Sequence, residues 1–254
     1  MDSREALFEV RGLTKRYGGR TVLDGLDFDI HKGECLVILG RSGTGKSVTL
    51  RQLNGLDKPD AGSVTFAGTN LSTLEERELF PFRRRIGMLF QGGALFDSMN
   101  IFDNIAFPLR EHSRKSEREI AETVRHKLEL VRLKDVERKM PPDLSGGMRK
   151  RAALARSLAL DPEVMLFDEP TTGLDPVTSA TIGKLIRSIQ SDLGVTSVVV
   201  THDIPLTRQV GDRIGFLSGG RFRFLGPVRE AEASREPELA DFLAGREEED
   251  AHVA

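Results

Sequence analysis

The chain has 254 residues, 39% hydrophobic and 30% charged, with 37 basic against 39 acidic side chains and a formal net charge of −2. That balance lacks the basic footprint of a nucleic-acid binder, so no nucleic-acid partner is expected, and the length supplies ample core for one large or two small domains. No apolar run approaches the ~20 residues that cross a bilayer, the first residues are too polar for a signal peptide, and a single cysteine excludes an internal disulfide. We therefore expect a cytosolic protein whose membrane role, if any, runs through a partner.

Residues 7–10 and 22–30 read as strands, the second with Val22, Asp24, Leu26, Phe28 and Ile30 on one face. Tyr17, the only tyrosine, falls in the polar turn between them, where it either stacks on a purine or packs on the hairpin. Residues 35–39, Cys-Leu-Val-Ile-Leu, have the length and branching of a buried parallel strand, with Cys35 as an inert buried thiol. Next comes Gly40-Arg41-Ser42-Gly43-Thr44-Gly45-Lys46-Ser47, and a helix-compatible stretch follows to Leu53. Strand, glycine-rich loop and helix in that order are the context of a phosphate-binding loop. The glycines let backbone N–H groups turn inward around phosphate oxygens, and the helix N-terminus adds positive potential. Lys46 is expected to reach the β- and γ-phosphates and the Ser47 hydroxyl to ligate Mg²⁺. The chain is thus expected to bind a nucleoside triphosphate.

Gly55 and the run Pro59-Asp60-Ala61-Gly62 break the chain before a short strand at residues 63–66. Residues 71–85 read as a charged helix whose end, Arg83-Arg84-Arg85, is a solvated face. Residues 86–90 form another short strand, with Gln91 at its end. From residue 100 to 159 the periodicity is helical throughout, opening at a Ser116–Glu119 capping box and carrying Ile120, Val124, Leu128 and Val131 on one stripe. Pro141-Pro142 stops that pattern, and a second helix is expected from Ser145 to Leu160. The α/β pattern then resumes with strand 164–168, helix 176–193, strand 196–201, and late strands 214–217 and 221–225 joined at Gly219-Gly220. The tail Glu247-Glu248-Glu249-Asp250 reads as frayed. This is an α/β domain with a helical insert.

Asp168 ends an apolar strand, as a metal-orienting carboxylate beside a phosphate loop must, and Glu169 directly after it is placed to polarise the attacking water. His202 follows strand 196–201 and should emerge at the carboxyl edge, where an imidazole contacts the γ-phosphate or is satisfied locally. Gln91, also at a strand end, offers an amide oxygen to Mg²⁺ or to the attacking water; the plain alternative is a turn residue. Leu144-Ser145-Gly146-Gly147-Met148 makes a second anion site: free N–H groups, a hydroxyl and a helix dipole. Two phosphate-binding helix starts lie about a hundred residues apart, and one triphosphate has no obvious need of both from one chain.

Taken in order, residues 40–47, Gln91, residues 144–148, residues 164–169, Gly173-Leu174-Asp175 and His202 resemble an ABC-transporter ATPase subunit over about residues 7–227. The resemblance implies a P-loop NTPase with a RecA-like core, an antiparallel β-subdomain and an inserted helical subdomain. Its boundaries would be a core at 7–91 and 160–227, a helical part at 92–159 and a C-terminal helix with acidic tail at 228–254. It further implies a head-to-tail homodimer in which Ser145, Gly146 and Gly147 of one copy hold the γ-phosphate of ATP bound by the other. Asp175 would sit at that interface, Tyr17 on adenine, and Glu169 would be the general base. One departure stands out: the family's signature ends in glutamine, and Met148 lacks its amide hydrogen bonds.

The segments Phe90-Gln91-Gly92-Gly93-Ala94-Leu95-Phe96 and 99–112, with the Met148-containing signature through Arg156, are similar to the Mla/Mce-type lipid-transport ATPases. That likeness implies a motor driving a permease for phospholipids or related hydrophobic molecules, peripheral on the cytoplasmic face of the inner membrane. An amino-acid importer subunit is the alternative, separable by the 86–112 segment. A chromosome-type or translation-factor ATPase is a further one, against which stand the missing coiled-coil heptads and the single cassette. Two apolar stretches have open readings. The face Leu239, Phe242 and Leu243 either packs on its own domain or docks at the dimer or on a small accessory protein, and Ile101, Phe102, Ile105, Phe107 and Leu109 are either core or in part line a groove for a permease helix.

Overall fold

The computed structural model describes residues 5–246, so the acidic tail lies outside the described residues. The chain forms two compact units, the first of Met1–Thr73 with Val200–Ala254 and the second of Leu74–Val199. In chain order the first opens with β1 (Ala6–Tyr17), β2 (Arg20–His31), β3 (Cys35–Leu39), α1 (Lys46–Leu53), β4 (Ala61–Phe66) and β5 (Thr69–Asn70). The second holds α2 (Glu76–Arg83), β6 (Ile86–Leu89), α3 (Ile101–His112), α4 (Glu117–Leu130), α5 (Gly146–Ser157), β7 (Val164–Asp168) and α6 (Pro176–Leu193). The unit boundary falls inside β8 (Thr196–Thr201), after which α7 (Ile204–Val210), β9 (Arg213–Ser218), β10 (Arg221–Pro227), α8 (Val228–Glu232) and α9 (Pro237–Leu243) complete the first unit.

In the first unit an antiparallel sheet runs β2-β1-β4-β5. Phe8 pairs with Ile30 on one side and with Phe66 on the other, and the Phe8 and Phe66 rings stack at 4.7 Å. The strands are longer than their apolar cores foretold, and Tyr17 is the last residue of β1 rather than a turn residue, paired with Arg20. The expected face of β2 holds for Leu26, Phe28 and Ile30 but not for Val22 and Asp24, because Leu23 is buried instead. The cause is a bulge: between the pairs Leu13–Leu26 and Lys15–Leu23 the second strand spends one residue more than the first, at Gly25 with φ 66°. Beyond that sheet, β3 is buried at every position and pairs parallel with β9, Leu39 opposite Phe216. Its leucine, valine and isoleucine side chains each contribute about 1.5–3 kcal/mol of burial, so the strand that carries the phosphate loop is firmly seated.

The C-terminal elements belong to this core. Leu239 is fully buried with Leu39, Ile214, Phe216 and Ala231, while Phe242 and Leu243 pack against the same cluster. The expected docking face of α9 is therefore taken up by its own unit: at i, i+3 and i+4 it covers the end of β3.

In the second unit β8, β7 and β6 lie side by side, with Ile86 opposite Val164 and Leu89 opposite Phe167 in parallel register. Between residues 101 and 157 the structure holds three α-helices joined by loops and no strand, as the periodicity foretold. α4 opens on the Ser116/Glu119 capping box, and Ile120, Val124, Leu128 and Val131 are buried. α3 presents Ile101, Ile105, Ala106 and Leu109 to the same interior, so most of the apolar stretch expected to line a groove is core. The three arginines at the end of α2 lie at the surface, as expected, but each has a partner. Arg83 pairs with Glu76, Arg84 donates to the His112 carbonyl at 2.5 Å, and Arg85 grips Glu163 at 2.6 and 3.0 Å, joining the starts of β6 and β7.

Candidate active site

The first unit supplies the phosphate loop. Gly40 leaves β3 where a Cβ would stand 2.4 Å from the Leu217 carbonyl oxygen, so no other residue fits. Gly45, at φ 102°, takes a left-handed conformation against Leu23, and the helix begins at the next residue. Lys46 is buried, and its ammonium donates to the carbonyls of Gly40 at 2.8 Å and Arg41 at 2.9 Å. Thr44 closes the loop further by donating to the Arg41 carbonyl at 2.9 Å. A positive charge is thus held beneath a turn of backbone, at a helix N-terminus, with Ser42, Gly43 and Ser47 exposed. His202 is exposed immediately after β8 in the same unit. Tyr17 is 44% exposed, with its hydroxyl donating to Asp57 at 2.7 Å.

The second unit supplies the carboxylates and the second helix start. β7 buries Val164 through Phe167 and releases Asp168 half-buried at its end. Glu169 follows, buried, with φ 47°. A non-glycine residue in that region costs of order 1–3 kcal/mol, which the seated strand behind it offsets. The Thr172 hydroxyl donates to the Glu169 carboxylate at 3.3 Å. Gln91 is exposed just beyond β6. Its backbone carbonyl accepts from the Lys150 ammonium, a buried group that the sequence reading missed. Burial lowers the Lys150 pKa, while the charges of Asp168 and Glu169 pull it upward. A signal was present: Lys150 shares a helix face with Gly147 and Leu154, and a cation on a buried face needs a partner.

Ser145 caps α5, its hydroxyl accepting from the Met148 N–H at 3.3 Å. Gly147 is buried, and a Cβ there would come 2.5 Å from a Thr178 methyl, so α5 and α6 start against each other. Asp175 caps α6, accepting from Val177 N at 3.0 Å, Thr178 N at 2.9 Å and the Thr178 hydroxyl at 2.6 Å. Those bonds, the hydroxyl's first, hold its carboxyl below the usual range. Ser145, Gly146 and Asp175 are all exposed. The second unit therefore presents the start of α5 to solvent as a ready anion site, beside the start of α6, whose first N–H groups the Asp175 carboxylate already takes.

A strand–loop–helix phosphate cradle, a strand-end carboxylate pair and a separate helix-start anion site define a P-loop nucleoside triphosphatase. The sequence matches the ABC transporter family over residues 23–172, and the chain belongs to that family. Among relatives, the "Probable ribonucleotide transport ATP-binding protein mkl" of Mycobacterium leprae is 47% identical over 94% of this chain and 69% of its own length. The "Intermembrane phospholipid transport system ATP-binding protein MlaF" of Escherichia coli K12 is 40% identical over 94% of this chain and 89% of its own. A dimeric ATP-binding cassette in a post-hydrolysis state with ADP and Pi superposes with a TM-score of 0.81 at 33% identity, over 87% of this chain and 99% of that one. CbiO1 of Clostridium perfringens, part of an ABC transporter complex, gives a TM-score of 0.84 at 30% identity, over 94% and 96%. The chain is an ATP-binding, ATP-hydrolysing subunit of an ABC transporter, with the P-loop NTPase fold of that class.

Proposed function

We propose that the chain powers a transporter of phospholipids or related hydrophobic molecules, as a homodimer bound peripherally to a permease on the cytoplasmic face of the inner membrane. The observation that carries the cargo is the 40% identity, over nearly the whole of both chains, to a protein named for phospholipid transport. A ribonucleotide cargo is the second reading, favoured by the name of the mycobacterial relative. No helix among the described residues is long and apolar enough to cross a membrane, and in this reading the force leaves through a permease. To separate the cargoes, the chain is purified with its membrane partners and the bound molecules are identified by mass spectrometry. Phospholipid in the complex, with ATPase activity raised by phospholipid and not by ribonucleotides, is expected; the reverse pattern overturns the assignment.

In this reading residues 40–47 cradle the phosphates of ATP, with Arg41, Ser42, Gly43 and Thr44 contributing backbone N–H groups and Lys46 a charge. Tyr17 carries the adenine. Ser47, Gln91 and Asp168 supply hydroxyl, amide and carboxylate oxygens, a hard donor set that suits Mg²⁺. When bound, that ion neutralises developing phosphate charge. Glu169 orients and deprotonates the attacking water, and His202 contacts the γ-phosphate. Ser145, Gly146 and Gly147 close on the partner copy's nucleotide, with Asp175 beside them; the exposure of Ser145, Gly146 and Asp175 supports this. The helical run 92–159 acts as a subdomain between core segments 7–91 and 160–227.

The permease contact is drawn to a cavity of about 540 Å³ in the second unit, walled by Phe80, Phe90, Phe107 and Pro108 and rimmed by Arg84 and Arg156. Phe80 and Phe90 are exposed. Phe102, one of the five residues of the apolar stretch at 101–109, is half-buried beneath the Arg110 guanidinium and outside this cavity. An accessory protein at the C-terminus finds no support in α9, whose apolar face is occupied.

A further inference from the structure

Tyr17 is tied to the helix that follows the phosphate loop. Its hydroxyl donates to Asp57 Oδ2 at 2.7 Å, and Arg51 of α1 grips the same carboxylate with Nε at 2.8 Å from Oδ2 and Nη2 at 3.1 Å from Oδ1. Asp57 is fixed by its backbone as well, since its N–H donates to the Arg51 carbonyl at 3.2 Å. The loop carrying it is pinned to the end of β1. Arg16 N–H donates to Asp60 at 2.6 Å, Asp60 N–H to the Thr14 carbonyl at 2.9 Å, and the Lys15 ammonium to the Lys58 carbonyl at 2.7 Å. Lys15 then lies over the Tyr17 ring, 5.3 Å from its centroid, and the ring remains 44% exposed. The aromatic is neither packed into the hairpin nor loose.

We infer that Asp57, gripped by Arg51, is a positioning residue that holds the Tyr17 ring as a platform for the base of the nucleotide. This rests on the proposed stacking of Tyr17 on adenine and adds what sets its place. α1 starts at Lys46 under the phosphates and carries Arg51 one turn and a half along, so one rigid helix spaces the platform from the phosphate cradle. A ring whose hydroxyl is bonded at its far end gives up little rotational freedom on stacking, and the base gains contact at low entropic cost. Burial and then the Asp57 carboxylate push the phenol up to about 12, so the hydroxyl keeps its proton and stays the donor. For Asp57 burial acts upward, but the bonds from Tyr17 and Arg51 outweigh it and keep the carboxyl ionised as the acceptor.

One tyrosine and no tryptophan make intrinsic fluorescence a report on Tyr17 alone. The full chain, without Mg²⁺ to prevent turnover, is titrated with ATP and with tripolyphosphate, using free tyrosine to correct for nucleotide absorbance. Affinities are read in parallel by calorimetry. Wild type should show a fluorescence change with ATP that tripolyphosphate does not produce. Asp57→Ala should bind ATP about tenfold more weakly while its tripolyphosphate affinity stays within about twofold, and Asp57→Asn, which still accepts from the phenol, should fall between. Tyr17→Phe combined with Asp57→Ala should be no worse than the poorer single variant, since both cut one bond. If Asp57→Ala keeps wild-type ATP affinity while Tyr17→Ala loses it, anchoring is wrong and stacking stands. Equal losses for ATP and tripolyphosphate in Asp57→Ala reduce the carboxylate to a loop brace and overturn the inference. Unchanged ATP affinity in Tyr17→Ala removes the stacking reading and the inference with it.

Discussion

At Glu169 a strained backbone, a buried residue and a threonine hydroxyl coincide just past the end of a buried strand. Strain of that kind persists where surrounding structure over-determines it, which supports a positioned base rather than a chance acid. Glu169→Gln should leave ATP affinity within about twofold and cut turnover by at least a hundredfold, because the amide keeps the shape and loses the basicity. Single-turnover hydrolysis alongside calorimetric binding checks this, and near-normal turnover would remove Glu169 from the role. The signature methionine is a milder case. Its backbone N–H, bonded to Ser145, is the part of Met148 that shapes the helix start. Met148→Gln should therefore change ATPase activity by less than about tenfold, roughly 1.4 kcal/mol in the barrier. Ser145→Arg, which removes the cap and fills the exposed anion site, should abolish it. Steady-state rates of the two variants side by side decide the matter, and equal damage would give the methionine side chain a direct part.

Elements show where periodicity needs tertiary partners to be interpreted. The face of α9 was legible as Leu239, Phe242 and Leu243, and its spacing was right. What it meets was not legible, because an apolar stripe carries no address. It covers Leu39, the last residue before the phosphate loop, with Phe242 packed on Phe216 at 5.4 Å. Leu239→Ala should then cost about 2–5 kcal/mol of unfolding free energy, as for other fully buried leucines. Urea denaturation measures it, with dimerisation by light scattering as the companion readout. A variant of wild-type stability whose assembly fails would return α9 to the role of a docking helix. The Arg83-Arg84-Arg85 run teaches the same lesson in reverse: Glu76 and Glu163 are seven and seventy-eight residues from their partners, the second beyond any local pattern.

For the whole molecule the question is how hydrolysis reaches a membrane that no described helix enters. Burial of Ile101, Ile105 and Leu109 removes them from any interface, while the cavity walled by Phe80, Phe90 and Phe107 offers an apolar surface to a partner. Phe80 is 53% exposed, so Phe80→Glu alters that surface without opening the core. It should abolish pull-down by the permease while the isolated subunit keeps its stability and ATP hydrolysis to within about twofold. Retained pull-down would take the contact away from this cavity.

By itself the sequence determined the phosphate loop, the strand-end carboxylates, the signature helix start and, apart from β5, α7 and α8, the order of strands and helices, because each rests on neighbours close in the chain. Glycine conformation, capping and burial periodicity are local physics, readable wherever a few adjacent residues must satisfy a backbone. Four things waited for the tertiary structure: the bulge that buries Leu23, the Lys150 ammonium on Gln91, the Asp57–Arg51 grip on Tyr17, and the burial of α9 on β3. Each joins groups whose meeting depends on where the backbone between them turns, and burial then decides what the contact is worth. A one-residue bulge reverses which side chains face inward, and a cation reads as surface until a fold covers it.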